Sequence, residues 1–223
     1  MKLSVNLFMT LDGVSQGPGS AEEDTRGEFH RGGWLMPVFD NGCGEAVNGW
    51  YERCGALLLG RRTFDTFATH WPHVTDPADA VADRINHRHK YVVTSSALGA
   101  TWADTSTPLG SGFLDDIGRL KEADDDRELQ VHGSIRLART LHEAGLIDIY
   151  RFLIAPVVVG GGAGLFDGDG PAYGLHLQHS TVTESGVLSV EMSPLEFDNS
   201  LRAAVVAGRD AVVPEHAQVG AQA

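Results

Sequence analysis

The chain is predicted to fold as one mixed α/β domain, a sheet covered by helices on both faces with an antiparallel strand pair at its end. Three observations carry this. Strand-like and helix-like segments alternate through the middle of the sequence, the pattern of a layered α/β sheet. Ala56-Leu57-Leu58-Leu59 is wholly apolar, as a strand buried on both faces must be. Residues 175–183 and 187–192 alternate in polarity about Ser185-Gly186, which reads as a hairpin.

The elements follow in order. Leu3, Val5, Leu7 and Met9 alternate with Ser4, Asn6, Phe8 and Thr10, giving a first strand over 2–10. Asp12-Gly13 ends it, and Gly17-Pro18-Gly19-Ser20 with Glu22-Glu23-Asp24 reads as a long mobile loop. Residues 42–54 are weakly helical, 56–59 form a strand, and a short helix covers 63–69. Lys90 to Thr94 is a strand entering the Ser95-Ser96 turn, and a helix around 111–123 ends at Asp124-Asp125-Asp126. A strand ending in His132-Gly133-Ser134, an amphipathic helix closing at Gly145, a second apolar run to Pro156 and a glycine cluster complete the centre. The pattern fades from Pro194, so the domain is expected over 1–194, with 195–223 a largely disordered extension.

Composition narrows the function. A formal charge of −13 argues against nucleic-acid and anionic-membrane partners, though not against a local basic pocket, for which Arg61-Arg62 is the best candidate. Two cysteines, Cys43 and Cys54, make no disulfide framework, and no stretch approaches the roughly 20 apolar residues of a membrane span. A cytoplasmic enzyme is the expectation. His70-x-x-His73 and His87-x-His89 lack a Cys or carboxylate partner at ligand spacing, so no metal is expected.

The segment 129–166 is the most informative. A strand feeding a small-residue turn at a helix start is an anion cradle, because free N–H groups and the helix dipole both favour phosphate there. This segment, together with Leu11-Asp12-Gly13, Leu58-Leu59-Gly60-Arg61-Arg62-Thr63-Phe64 and Val92-Val93-Thr94-Ser95-Ser96, resembles the dihydrofolate-reductase-like superfamily. The likeness is greatest to the reductase domain at the C-terminus of the bifunctional riboflavin-biosynthesis deaminase/reductase, the RibD C-terminal family, and spans roughly residues 3–192. It implies a central, mostly parallel twisted sheet in a homodimer that binds NADPH along the strand C-termini.

The resemblance also implies residue roles. Gly60, Arg61, Arg62 and Thr63 would approach the cofactor phosphates, Thr94, Ser95 and Ser96 the adenosine 2′-phosphate, and His132, Gly133, Ser134 and Ile135 the pyrophosphate. The superfamily often has two glycines where this chain has Gly133-Ser134. Asp12, Gly13 and Asp40 would line the reaction end, with Asp12 and Asp40 as candidate catalytic groups. Each has a plainer alternative: Asp12-Gly13 as a turn pair, Asp40 or Glu45 as a helix cap or first-turn acid, His132 as an imidazole bonded beneath the turn. The carboxylate that holds the pterin in dihydrofolate reductases has no clear counterpart.

Gly160 to Gly164 is not a dinucleotide fingerprint, since no amphipathic helix follows, and reads as a loop closing over the pocket or a dimer interface. The zinc deaminase signature is not in this sequence. The expectation is thus an NADPH-dependent reductase without deaminase chemistry, acting on a small heterocyclic (pyrimidine-, pterin- or flavin-like) or carbonyl-like acceptor. Pterin reduction proper and a non-catalytic nucleotide-binding protein are the alternatives.

Overall fold

The structure is a computed structural model that describes residues 1–167 and 170–216. Ten strands and five α-helices are described: β1 (Lys2–Thr10), α1 (Asn41–Glu52), β2 (Cys54–Gly60), α2 (Arg61–His70), α3 (Ala80–His87), β3 (His89–Val93), β4 (Ser106–Leu109), α4 (Phe113–Lys121), β5 (Glu128–His132), α5 (Ile135–Glu143), β6 (Ile149–Ala155), β7 (Gly174–Val182), β8 (Leu188–Leu195), β9 (Leu201–Val206) and β10 (Arg209–Pro214).

Eight strands form one sheet in the order β4-β3-β2-β5-β1-β6-β8-β7. The pairs from β4 through to β6 are all parallel, and β8 and β7 add the antiparallel hairpin. Every strand from β1 to β6 therefore ends at the same edge, where the loops that carry chemistry in open α/β sheets gather.

Alternation along the strands builds two layers. Leu3, Val5, Leu58, Leu129, Val131 and Phe152 pack beneath α4 and α5, through Ile117, Leu137, Ala138 and Leu141. Leu57, Leu59 and Val92 point the other way, against Tyr51 of α1, Phe64 of α2 and Ile85 of α3. Leu57, Leu58 and Leu59 are all fully buried, each contributing about 1.5–3 kcal/mol by leaving water. The uninterrupted apolar run is the sequence's statement that both faces are covered.

A polar seam crosses this sheet. The wholly buried guanidinium of Arg151 donates through Nη1 and Nη2 to Glu128, both at 2.6 Å, through Nε to Glu191 at 2.6 Å, and to Asn6 Oδ1 at 3.2 Å. Burial alone would raise the Glu128 carboxyl, but the bonds and charge of Arg151 outweigh it and hold the group below its ordinary value. Ser4 and Gln130 donate to the same carboxylate, and Gln130 also donates to Trp50 O.

The structure departs from the sequence expectation in three places. Helix α3 and strand β4 lie in stretches with no clear pattern. The extension expected to be disordered forms an antiparallel hairpin, with Leu201 to Val206 paired against Arg209 to Pro214 around Ala207-Gly208, both at positive φ. Residues 217–223 lie outside the described residues. Of the apolar run 147–159, consistent with either a dimer face or internal core, the β6 part is internal, flanked by β1 and β8, while Val158 beyond it is exposed.

Candidate cofactor and acceptor site

Two helices start side by side at the strand-end edge. Helix α2 begins directly after β2, and α5 directly after the β5 turn, neither with a side-chain cap nor an acidic residue in its first turn. Their amide ends are thus left for an outside anion. The two turns clasp one another: the Gly60 N–H donates to Ser134 Oγ at 3.0 Å, and the Ser134 N–H donates to Thr63 Oγ1 at 3.2 Å. Gly133 and Ser134 both take left-handed backbone, φ 57° and 50°. The second is costly for a residue with a β-carbon, and the paired hydrogen bonds hold it there.

The two arginines divide. Arg61 Nε donates to both oxygens of Asp65 at 2.9 Å, and its Nη1 donates to Ser96 Oγ at 2.7 Å and Ala97 O at 2.8 Å. It staples the start of α2 to the 94–97 turn, where Thr94 Oγ1 accepts from the Ser96 N–H at 3.1 Å and Ser95 is exposed. Arg62 is exposed, and the carboxylate of Asp24 lies 3.6 Å from it. Asp24 is itself clasped by Arg26, whose Nε lies 2.7 Å away. Arg62 is the guanidinium that remains available to a phosphate.

Three sequence candidates are held by structural contacts. Asp12 accepts from Thr10 Oγ1 at 2.6 Å, the Gly160 N–H at 2.7 Å and the Val159 N–H at 3.2 Å, and these bonds, the Thr10 hydroxyl foremost, hold its carboxyl below its usual value. It ties the end of β1 to the loop after β6. Asp40 caps α1, accepting from the Ser185 N–H at 2.8 Å and the Cys43 N–H at 3.0 Å, which keep it well below the carboxylate range. Each of its oxygens accepts one backbone N–H, so the carboxylate fixes the start of α1 to the turn between β7 and β8. His132 is buried, stacks on Tyr51 at 4.2 Å, and shares a 2.9 Å hydrogen bond with Gln130 Oε1. An amide oxygen only accepts, so Nε2 carries the proton. Burial, with the Arg151 charge adding to it, pushes the imidazole down to about 3. It is packed beneath the sheet end, and the turn continues through Gly133 and Ser134 into Ile135 of α5. Gly13, at φ 85°, turns the chain after Asp12.

The first loop and the loop after β6 are laced together. Leu11 N–H donates to Val157 O, Ser15 N–H to Ala163 O, and Ala163 N–H to the Gln16 side chain. Gln16 donates in turn to the carbonyls of Asp24 and Arg26, and its own carbonyl accepts from Trp34 Nε1. A Cβ on Gly162 would lie 2.7 Å from Val14 and 2.8 Å from Phe29, so this approach requires glycine. Between the loops is a recess of about 680 Å³, lined by Gln16, residues 26–31 and Gly161 to Ala163. The sequence reading took Gly160 to Gly164 as a loop over the pocket but had no signal for residues 26–31, which meet the glycines only in space.

Cys43 and Cys54 are free and buried. His87 lies by Asp83, and His89 Nε2 by Thr107 Oγ1, each at hydrogen-bond distance. No helix among the described residues is long and apolar enough to cross a membrane.

Comparison with known proteins fits this arrangement to a family. The RibD C-terminal domain model matches residues 1–108 and 113–189. The chain belongs to that family. It is 24% identical over 191 residues to YyaP, an uncharacterized protein of Bacillus subtilis (strain 168), covering 85% of this chain and 93% of that protein. Among solved structures, a putative riboflavin biosynthesis protein from Shewanella sp. PV-4 superposes with a TM-score of 0.63 at 20% identity, covering 87% of this chain and 99% of that one. RibD of Acinetobacter baumannii gives 0.59 at 12% identity, covering 87% of this chain and 58% of that one. A pyrimidine reductase-like protein from Corynebacterium diphtheriae gives 0.56 at 9%, covering 88% and 92%. The fold is thus that of RibD C-terminal, dihydrofolate-reductase-like domains.

Proposed function

We propose that this RibD C-terminal domain is an NADPH-dependent reductase of a small heterocyclic or carbonyl-like acceptor. The observation that carries it is the clasped pair of uncapped helix starts, α2 and α5, with Arg62 beside them. Two sets of free amides and one guanidinium match a pyrophosphate with a further phosphate. The small residues Gly60, Gly133 and Ser134 let backbone approach such a group closely.

When bound, the nicotinamide supplies the hydride. The chain's contribution is binding, orientation and exclusion of water. The first-turn amides of α2 and α5 would hold the diphosphate, with Gly60, Gly133 and Ser134 giving it room to approach, and Arg61 fixes the Thr94–Ser96 turn against α2. The first loop walls the reaction end from solvent, held by Asp12 and Gln16. The exposed side chains Leu177 and Val182 on edge strand β7 support a homodimer, which light scattering tests.

The test is fluorescence titration with NADPH and NADH. Saturable binding that prefers NADPH is expected. Arg62→Ala should weaken NADPH binding about ten- to a hundredfold, the loss of one charge-assisted contact of about 1.5–3 kcal/mol, and weaken NADH binding less. Arg61→Ala should act less selectively, through the turn it staples. Binding of neither nucleotide would overturn the reading.

A further inference from the structure

The C-terminal hairpin is an element without a support. Strands β9 and β10 form a two-stranded sheet of their own and pair with no other described strand. Two strands alone are marginal in water and become stable by laying an apolar face on something else. The register shows which face. Leu201 pairs with Pro214, Ala203 with Val212 and Val205 with Asp210, so these six side chains share one side. All six are exposed, Val205 at 66% and Val212 at 72%, and Asp210 is the one charge among them, next to the Ala207-Gly208 turn. On the opposite side, the pairs of Arg202 with Val213 and Ala204 with Ala211 are half-buried. The apolar side is the unsupported one.

A second bare face lies at the end of the main sheet. Leu175 pairs with Pro194, Leu177 with Met192 and Val182 with Leu188, so all project to the side that α4 and α5 cover further in. That layer reaches Val190 and Met192, which are half-buried, and stops there; Leu175, Leu177, Val182 and Leu188 are left exposed. The edge beyond is also unguarded, for the nine residues of β7 include neither lysine nor proline. Each chain therefore carries two exposed apolar faces, each two strands wide, and does not join them to one another.

We infer that the β9–β10 hairpin is an arm that lays its Leu201, Val205 and Val212 face on the β7–β8 face of a second copy of this chain, which returns its own arm in the same way. The inference rests on the homodimer reading and names the element that holds the pair. Symmetry selects the second copy as occupant: a donor face and an acceptor face on one chain satisfy each other twice in a closed two-fold pair. A foreign partner would cover one face of each chain and leave the other bare. The family match ends at residue 189, so the arm is an addition to the shared domain.

The experiment mixes two preparations of the full chain. One carries a nitroxide on Arg209→Cys, at the exposed tip of the hairpin and off its apolar face; Cys43 and Cys54 are buried and take no label. The other is isotopically labelled without the nitroxide, so only contacts between copies are read. A dimer by light scattering and selective broadening of the Leu177 and Val182 amide resonances are expected. Val212→Asn in both preparations should raise the dimer dissociation constant about tenfold or more and remove the broadening, because a buried valine contact is lost at each arm. Val212 is exposed in the single chain, so its substitution leaves the fold in place, which circular dichroism checks. A dimer in which Leu177 and Val182 are unaffected overturns the arm and leaves the homodimer standing. A monomer at every concentration overturns both, and neither result touches the reductase reading.

Discussion

Ser134 sits at the joint of the cradle, and two substitutions there separate the two things it does. Its backbone lies at φ 50°, ψ 44°. A residue with a β-carbon pays about 1–2 kcal/mol for that conformation, and glycine does not. Its hydroxyl accepts from the Gly60 N–H at 3.0 Å, a bond contributing about 0.5–1.5 kcal/mol net. Ser134→Ala keeps the strain and loses the bond, and should destabilise the protein by about 1 kcal/mol. Ser134→Gly loses the bond but relieves the strain, less the roughly 0.4–1 kcal/mol of extra chain entropy glycine carries when unfolded, and should come out close to wild type. Urea unfolding measures both, read as midpoint shifts at constant slope. An alanine variant as stable as wild type, or a glycine variant less stable than the alanine one, would refute the account of a strained, clasped turn.

Three further outcomes follow from the structure. Glu128→Ala leaves the buried Arg151 with Glu191 as its one remaining carboxylate, and should cost about 3–5 kcal/mol in urea unfolding; a loss below about 1 kcal/mol would show that the seam relaxes around the gap. His132, held down to about 3 from 6.5, is a base with a depressed folded value, so the stability it contributes is complete above pH 6.5 and lost as pH falls toward 3. The slope from this group approaches about 1.4 kcal/mol per pH unit, and His132→Gln should flatten the unfolding profile between pH 6.5 and 5, above the range of the carboxylates; unchanged slopes would contradict it. Gly162→Ala, meeting Val14 at 2.7 Å, should destabilise by about 1–3 kcal/mol and shift the resonances of Val14 and Phe29; a neutral result would mean that the loops part easily.

The sheet was legible where periodicity is local. Leu57, Leu58 and Leu59 announce a strand covered on both faces, and the hairpin declares itself at Ser185-Gly186. Helix α3 is hidden because it is short and polar, burying only Ala82 and Ile85, with its cap at Asp79. Strand β4 buries only Leu109 and gains its place by pairing with β3. In the site, Gly60 to Thr63 and Gly133-Ser134 were visible as turns before helices, but their mutual clasp joins residues over seventy positions apart. The partners of the aspartates were hidden for a related reason. A carboxylate beside a turn looks the same in sequence whether it faces a ligand or an unsatisfied amide, and the Gly160 and Ser185 amides that engage Asp12 and Asp40 lie far along the chain.

The first loop is tied off at its neck: Gly33 N–H donates to Gly17 O at 2.8 Å, and Leu35 N–H to Pro18 O at 3.2 Å. Everything between Gly17 and Gly33 is consequently a closed excursion whose length the sheet does not feel, since its ends stay adjacent whatever lies between them. One wall of the recess is therefore exchangeable. A different excursion grafted onto the same neck would change what fits the recess while leaving the turns at Gly60, Thr63 and Ser134 untouched, so that the two regions can diverge independently on one scaffold.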